Sequence, residues 1–217
     1  MAHVTLVRHG QANSSARDEI SYDRLSELGW QQARWLGAHL DATGDRFARA
    51  YCGTLRRHRE TFEALGTDLE PTFDERLNEL EYFTMAQLFE AQHGVALPEG
   101  REEFVRHMPL MFTAWAEDQL DGAPEPFAHF EARVSEVLHE IAAGEGRALV
   151  VTSGGLIGFA MRATMGLGMG ALAHACIAIE NTSVHRFQPL PSGLVLTQFN
   201  AVPHLEVSGR THARTHI

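Results

Sequence analysis

The sequence predicts an α/β fold, a three-layer α/β/α sandwich with a mostly parallel central sheet. Three observations carry this. Short apolar runs alternate with segments of helical periodicity along the whole chain. The run Ala148–Val151 is apolar without alternation, as in a central strand covered on both faces. Several strands also end abruptly in a polar or glycine-rich turn that leads into a helix, the repeating unit of a parallel sheet.

The elements follow in order. Val4–Val7 forms the first strand and stops at Arg8-His9-Gly10, and residues 11–25 are polar. Ser26 is a fitting N-cap, with Glu27 in the first turn, for a helix to about Asp41 carrying Leu28, Ala33, Trp35, Leu36 and Leu40. Gly44 closes that region. ARAYCG (48–53) is a second strand, and a helix begins near Leu55, with Leu55, Phe62 and Leu65 at helical spacing, and ends at Gly66. From 82 to 120 the chain is rich in Phe and Met, and Gly94, Pro98 and Gly100 divide it into two helical pieces. We read 82–125 as a helical insertion over the active-site end of the sheet, its apolar stripe serving as core. DGAPEP (121–126) is a loop, and a helix runs from about Phe127 to Ala143. RALVVTSGG (147–155) gives strand, turn and helix start, and the helix carries Leu156, Ile157, Ala160, Met161 and Met165. ACIAIENTSVHRFQP reads as one strand or a bent pair, and GLVLTQFN as another. From about 207 the chain is polar and is expected to be a loose tail, its His212 and His216 solvated rather than metal-bound.

Bulk properties narrow the function. A chain of 217 residues suits one domain, 1–217, with a sizeable core. Hydrophobic residues are 44% and charged residues 21%, ordinary for an ordered soluble protein. The net charge of −10 disfavours a nucleic-acid or anionic-membrane partner, and makes any local basic pocket conspicuous. No apolar run reaches membrane-spanning length, and Met1-Ala2-His3 lacks the pattern of a signal peptide. Cys52 and Cys176 each fall in an apparent strand, without a CxxC pattern, so buried thiols in a reducing cytoplasm are expected. A homo-oligomer is left open.

A parallel sheet places its ligand beyond the carboxyl ends of the strands. Arg8 and His9, Arg56 and Arg57, and Ser153-Gly154-Gly155 all follow strand ends. Guanidinium forks and free helix-start amides gathered at one edge suit a phosphate. The spacing alone does not choose between Arg56 and Arg57, nor between Glu79 and Glu81 in RLNELEY, which share a side if that segment is extended.

LVRHGQ, LSELGWQQARWLGAHL, GTLRRHRETFEAL, RLNELEY, ENTSVHRF and FNAVPHL together resemble the histidine phosphatase superfamily, the phosphoglycerate-mutase-like proteins, over nearly the whole chain. The resemblance implies that His9 is a nucleophile forming a phosphohistidine, with Arg8 and Arg57 on the phosphoryl oxygens. It picks Glu79 as general acid, a role that suits a partly desolvated carboxyl group beside a phosphate. Gly10 would allow a tight turn beside the ligand, and Gly154 would offer an amide. The implied activity is a metal-independent phosphomonoester phosphatase, without a cofactor, acting on a small phosphorylated molecule. A phospholigand-binding protein and a mutase-type phosphotransferase are the alternatives on the same fold.

Three positions depart from the family pattern. Ser153 stands where a second histidine is usual, which replaces an imidazole beside the phosphate by a neutral hydroxyl and leaves Ser153 a candidate phosphate-binding residue. His185 is a candidate to fill that gap, although a packed strand histidine is the plainer reading. An asparagine usual six residues after the nucleophile is replaced by Ser15, with Asn13 nearby, so either is a candidate phosphate donor. Phe83 stands where glycine is frequent after the acid.

Overall fold

The computed structural model describes residues 3–216. Its elements are β1 (Val4–Arg8), α1 (Glu19–Tyr22), α2 (Glu27–Ala42), β2 (Arg49–Cys52), α3 (Arg56–Leu65), β3 (Pro71–Phe73), α4 (Tyr82–His93), α5 (Arg101–Ala116), α6 (Phe127–Ala143), β4 (Ala148–Thr152), α7 (Gly154–Met165), α8 (Met169–Ala178), β5 (Val184–Leu190) and β6 (Gly193–Ala201). Short 3-10 turns cover Glu75–Leu77 and Thr211–Ala213.

The six strands form one sheet in the order β3-β2-β4-β1-β5-β6. The first four are parallel, while β5 and β6 run antiparallel at one side. The fold is the predicted α/β sandwich. The central strands β1 and β4 are buried on both faces, and alternate side chains enter opposite layers. Val4, Leu6, Ala148 and Val150 face a core built with α4 to α8, including Phe112, Phe130 and Phe159. Val7, Leu149 and Val151 face the other way, onto Leu36, Leu40, Phe62 and Leu65 of α2 and α3. Each fully buried side chain of this size contributes about 1.5–3 kcal/mol of hydrophobic stabilisation.

Local chemistry accounts for the helix ends. Ser26 caps α2 by accepting from the Gly29 amide at 3.0 Å. Gly66 ends α3 in the left-handed conformation, φ 64°. Where α2 meets the first loop, a side chain at Gly10 would begin 2.4 Å from the Gly29 carbonyl oxygen, so Gly10 serves helix–loop contact rather than an unusual turn.

Several expectations are corrected. The short α1 lies inside the polar stretch 11–25, where no helix was expected, and β3 forms at Pro71–Phe73, where no strand was expected; segments of three or four residues carry too little pattern to read. Cys176 lies in α8, not in a strand, because Ala175–Ala178 continues a helix and β5 starts only at Val184. Both cysteines are buried free thiols, and burial pushes their pKa values up, that of Cys52 to about 12. The segment 82–116 forms α4 and α5, whose Met85, Phe89, Met111, Phe112 and Trp115 enter the same core as α6 and α7.

The segment 207–216 is not loose. Ala213 is buried against Val202 and Leu205, and Gln32 Nε2 donates to the Ala213 carbonyl at 2.7 Å and to Thr215 Oγ1 at 2.8 Å. Arg214 grips Glu180 through two bonds of 2.9 and 2.6 Å, and the Asn181 amide donates to the Thr215 carbonyl at 2.7 Å. Polar composition concealed this because its anchors are hydrogen bonds. Among the described residues, no helix is long and apolar enough to cross a membrane.

Candidate active site

Strand register builds the site. Arg8 lies opposite Thr152, and Cys52 opposite Val151, so β1, β2 and β4 end at one level. The chain then continues in step: the His9 amide donates to the Thr152 carbonyl at 2.8 Å, and the Gly53 amide to Val151 at 3.0 Å. The loop before β5 closes the same edge. Thr182, at φ 57°, turns its amide toward the carbonyls of Arg8 and His9, at 3.1 and 3.3 Å. A left-handed β-branched residue is strained, and strain of this kind persists where surrounding contacts impose it.

His9 is 2% exposed. Its Nδ1 lies 2.7 Å from the Gly10 carbonyl oxygen, an acceptor, so Nδ1 carries the proton and donates. In the neutral ring that leaves Nε2 with a free electron pair. Burial first, then the positive charges of Arg57 and Arg8 and the nearby His58, hold the ring well below its ordinary pKa.

The two cations are fixed by protein atoms and keep donors to spare. Arg8 Nη1 donates to the carbonyls of Ile179 and His216, the latter at 2.7 Å, while its buried Nε has no partner. Arg57 Nη1 donates to Asp23 Oδ1 at 2.9 Å and its guanidinium lies 5.1 Å from the Tyr22 ring centre; its Nε is also buried without a partner. Arg56 faces outward and pairs with Glu60. Arg57, buried and acting on His9, is therefore the one of the two that lies on the His9 side.

Two side chains anchor the start of α3. Asp23 accepts from the amides of Arg56 and Arg57, and Asn78 from those of Thr54 and Leu55. The α3 terminus is thus satisfied internally. At α7, Glu79 Oε2 accepts from the Gly155 amide at 2.9 Å. A side chain at Gly155 would begin 2.3 Å from Glu79 Oε1, and one at Gly154 would begin 3.4 Å from Arg8 Nε. Adjacent residues of one turn thereby bring Glu79 and Arg8 together. Glu81 is exposed and bonds Thr84.

Arg8, His9, Arg57, Glu79, Ser153 and Gly154 thus converge on one edge, with Gly10 just behind, its amide on Thr61 Oγ1. Asn13 and Ser15 serve the loop instead. Asn13 Nδ2 donates to the Ser21 carbonyl, and its Oδ1 accepts from the Ser15 hydroxyl at 2.8 Å; neither bond reaches His9. His185 is a packed histidine with both ring nitrogens used, Nε2 on Ser183 Oγ and Nδ1 on the Asn200 amide. Phe83 packs against Tyr22 at 5.7 Å between ring centres, and its amide donates to Glu19 at 2.7 Å, so it joins α4 to the rim. The imidazole beside Ser153 is His58, from α3: Nε2 lies 2.6 Å from Ser153 Oγ, and the ring centre 5.8 Å from that of His9. Its signal was its place directly after Arg57.

A cavity of about 370 Å³ lies elsewhere, lined among others by His39, Asp45, Arg186 and Gln198. It contains none of the converging residues. Among the described residues, no three His, Cys, Asp or Glu side chains group so as to hold a metal ion.

An α/β sandwich whose parallel strand ends aim an imidazole and two guanidiniums into one space defines a class of phosphoryl-binding proteins built around histidine. Residues 4–202 match the histidine phosphatase superfamily (branch 1), and the chain belongs to that superfamily. A mutant phosphoserine phosphatase of Entamoeba histolytica, solved with phosphoserine, is similar in structure: TM-score 0.71, 18% identity, covering 94% of this chain and 100% of that one. A phosphoglycerate mutase of Bacillus anthracis str. Sterne follows the same fold with TM-score 0.66, 21% identity and 94% coverage of each chain. A mycobacterial glucosyl-3-phosphoglycerate phosphatase does so with TM-score 0.64 and 23% identity, covering 93% of this chain and 99% of that one. Comparison with curated proteins gives no significant match.

Proposed function

We propose that this protein is a phosphomonoester phosphatase that acts on a small phosphorylated molecule through a phosphohistidine at His9. The observation that supports it is the tautomer of His9: Nδ1–H is held by the Gly10 carbonyl, leaving Nε2 unprotonated beside Arg8 and Arg57. In the first step the Nε2 electron pair attacks phosphorus and the P–O ester bond breaks. The leaving oxygen takes a proton from the Glu79 carboxyl group. Water then attacks the phosphohistidine, giving its proton to Glu79, and orthophosphate leaves with His9 neutral again. Arg8 Nε and Arg57 Nε, buried without protein partners, are suited to the phosphoryl oxygens. These cations supply the positive charge, so the reading assigns no metal to the reaction. Tyr22 and Phe83 form an aromatic wall suited to the organic part of the substrate.

The test is hydrolysis of an aryl phosphate in chelator, with acid-stabilised trapping of the intermediate. Wild type is expected to release phosphate and to carry label on His9, and His9→Ala to do neither. Equal turnover by the two proteins overturns the proposal. A mutase would pass the phosphoryl group to an added alcohol acceptor rather than to water, which product analysis in the same assay distinguishes.

A further inference from the structure

We propose that Ser153 and His58 work as one unit on the phosphoryl group: the Ser153 hydroxyl donates to a phosphoryl oxygen, and His58 holds that hydroxyl from behind. The ligand class rests on the proposed function above; the pairing itself rests on geometry.

Both side chains are fully buried, at 0% exposure, and their contact is short, 2.6 Å from Nε2 to Oγ. Ser153 occupies the N-cap position of α7, yet its side chain makes no capping bond. The usual structural use of a serine there is therefore absent. Its only protein partner among the described residues is His58. The ring is placed by a specific accommodation, since a side chain at Gly53 would begin 2.1 Å from His58 Nδ1.

The tautomer sets the direction of the pair. Nδ1 of His58 is buried with no partner. An orphaned acceptor is tolerated better than an orphaned N–H, which places the proton on Nε2. Nε2–H then donates to Ser153 Oγ, and the hydroxyl proton is left to donate elsewhere. What lies nearby is the space shared by His9, Arg8 and the α7 amides, where a phosphoryl oxygen would accept it. Burial and the adjacent Arg57 hold His58 neutral. The unit thus gives a polarised neutral donor, while the arginines carry the charge. Seen this way, Ser153 does not simply delete an imidazole. The imidazole stands one layer back, supplied by α3 instead of the β4 turn.

Ser153 would contact the ligand directly and His58 would be a positioning residue acting through it. The full chain is titrated with orthovanadate and with orthophosphate by calorimetry, alongside aryl-phosphate kinetics and trapping of the His9 adduct. Ser153→Ala and His58→Ala are each expected to weaken vanadate binding about ten- to a hundredfold, the range for a hydrogen bond to a charged group. The double variant should lose little more than either single one. His58→Gln, which keeps an N–H near the Nε2 position, and Ser153→Thr, which keeps the hydroxyl, should recover most of the affinity; a purely structural role would not separate these variants from the alanines. Should His58→Ala fail to fold, the Ser153→Ala and Ser153→Thr comparison decides alone. Unchanged vanadate affinity in Ser153→Ala, or additive losses in the double variant, overturns the unit while a labelled His9 leaves the phosphatase reading standing. Loss of vanadate affinity in Ser153→Ala, with no adduct on wild-type His9, supports the unit and overturns the phosphohistidine. A wild type that binds neither anion overturns both.

Discussion

Gln32 ties the loop after His9 to the C-terminal segment, and its replacement by methionine tests whether that segment supports the site. Gln32 is fully buried. Its Oε1 accepts from the Gln11 amide at 2.8 Å, and its Nε2 donates to the Ala213 carbonyl and to Thr215 Oγ1. Methionine has nearly the same volume, so no large cavity forms. What changes is hydrogen bonding. The Ala213 carbonyl loses a buried partner, and an unsatisfied buried group costs about 1–3 kcal/mol. The half-buried Gln11 amide can recruit water and falls at the low end of that range. Thr215 keeps a bond to Asn181 Oδ1. The expected destabilisation is about 2–4 kcal/mol, a large share of a total stability of about 5–15 kcal/mol. A second effect reaches Arg8, one of whose carbonyl anchors is His216 in the same segment. Loosening that anchor should raise KM for an aryl phosphate about three- to tenfold, the worth of one ordinary hydrogen bond, with kcat less affected. Urea denaturation reads the first quantity and steady-state kinetics the second. A denaturation midpoint equal to wild type, with unchanged KM, refutes the supporting role.

Three further outcomes are expected. Gly155→Ala drives a side chain into Glu79, whose Oε1 would lie 2.3 Å from the new carbon. Formation of the His9 adduct from alkyl phosphates should then slow about a hundredfold or more, while adduct formation from an activated aryl phosphate, whose leaving group needs no proton, changes little; equal losses of the phosphorylation rate on both substrates count against Glu79 as the acid. Asp23→Ala removes the partner of Arg57 and the acceptor for two α3 amides, and should lower stability by about 1–3 kcal/mol in thermal or urea melts, with kcat/KM falling alongside. Burial holds His185 and His204 at pKa values of about 3, and His9 and His58 well below the ordinary value. Above pH 6.5 these rings are neutral in both folded and unfolded chains and contribute no pH dependence. Below it the unfolded chain takes up protons that the folded chain refuses, so stability is lost as pH falls from 6.5 toward 3. Each ring costs about a factor of ten in the folding equilibrium per pH unit. His185→Gln should flatten the denaturation slope between pH 6 and 4.5 by about one such factor, and an unchanged slope would show that His185 is protonated when folded.

The parts of this molecule that were readable in its sequence are those written in local pattern. The apolar run of β4, the Ser26 cap and the glycine stops reflect interactions over a few residues. Strand ends were equally legible, and once the sheet is parallel its register carries Arg8, His9 and Ser153 to one edge. Missed features share a different cause. The docking of 207–216 depends on Gln32, Glu180 and Asn181, and hydrogen bonds between distant polar residues leave no periodicity. Helix α8 was missed because Ala175–Ala178 runs directly into the loop before β5, so one apolar stretch serves two elements.

Ser153 and His58 are the clearest instance. They are separated by 95 positions and meet only because β2 and β4 pair and α3 leaves the end of β2. Taken singly, position 153 reads as the loss of a histidine and position 58 as one more polar residue in a basic helix. The space that Gly53 leaves for the ring gives the two positions a common explanation. It also specifies a constraint that neither position imposes alone. A variant with histidine at 153 places two imidazoles in the volume of one, so Ser153→His should destabilise unless His58 is reduced to alanine in the same chain.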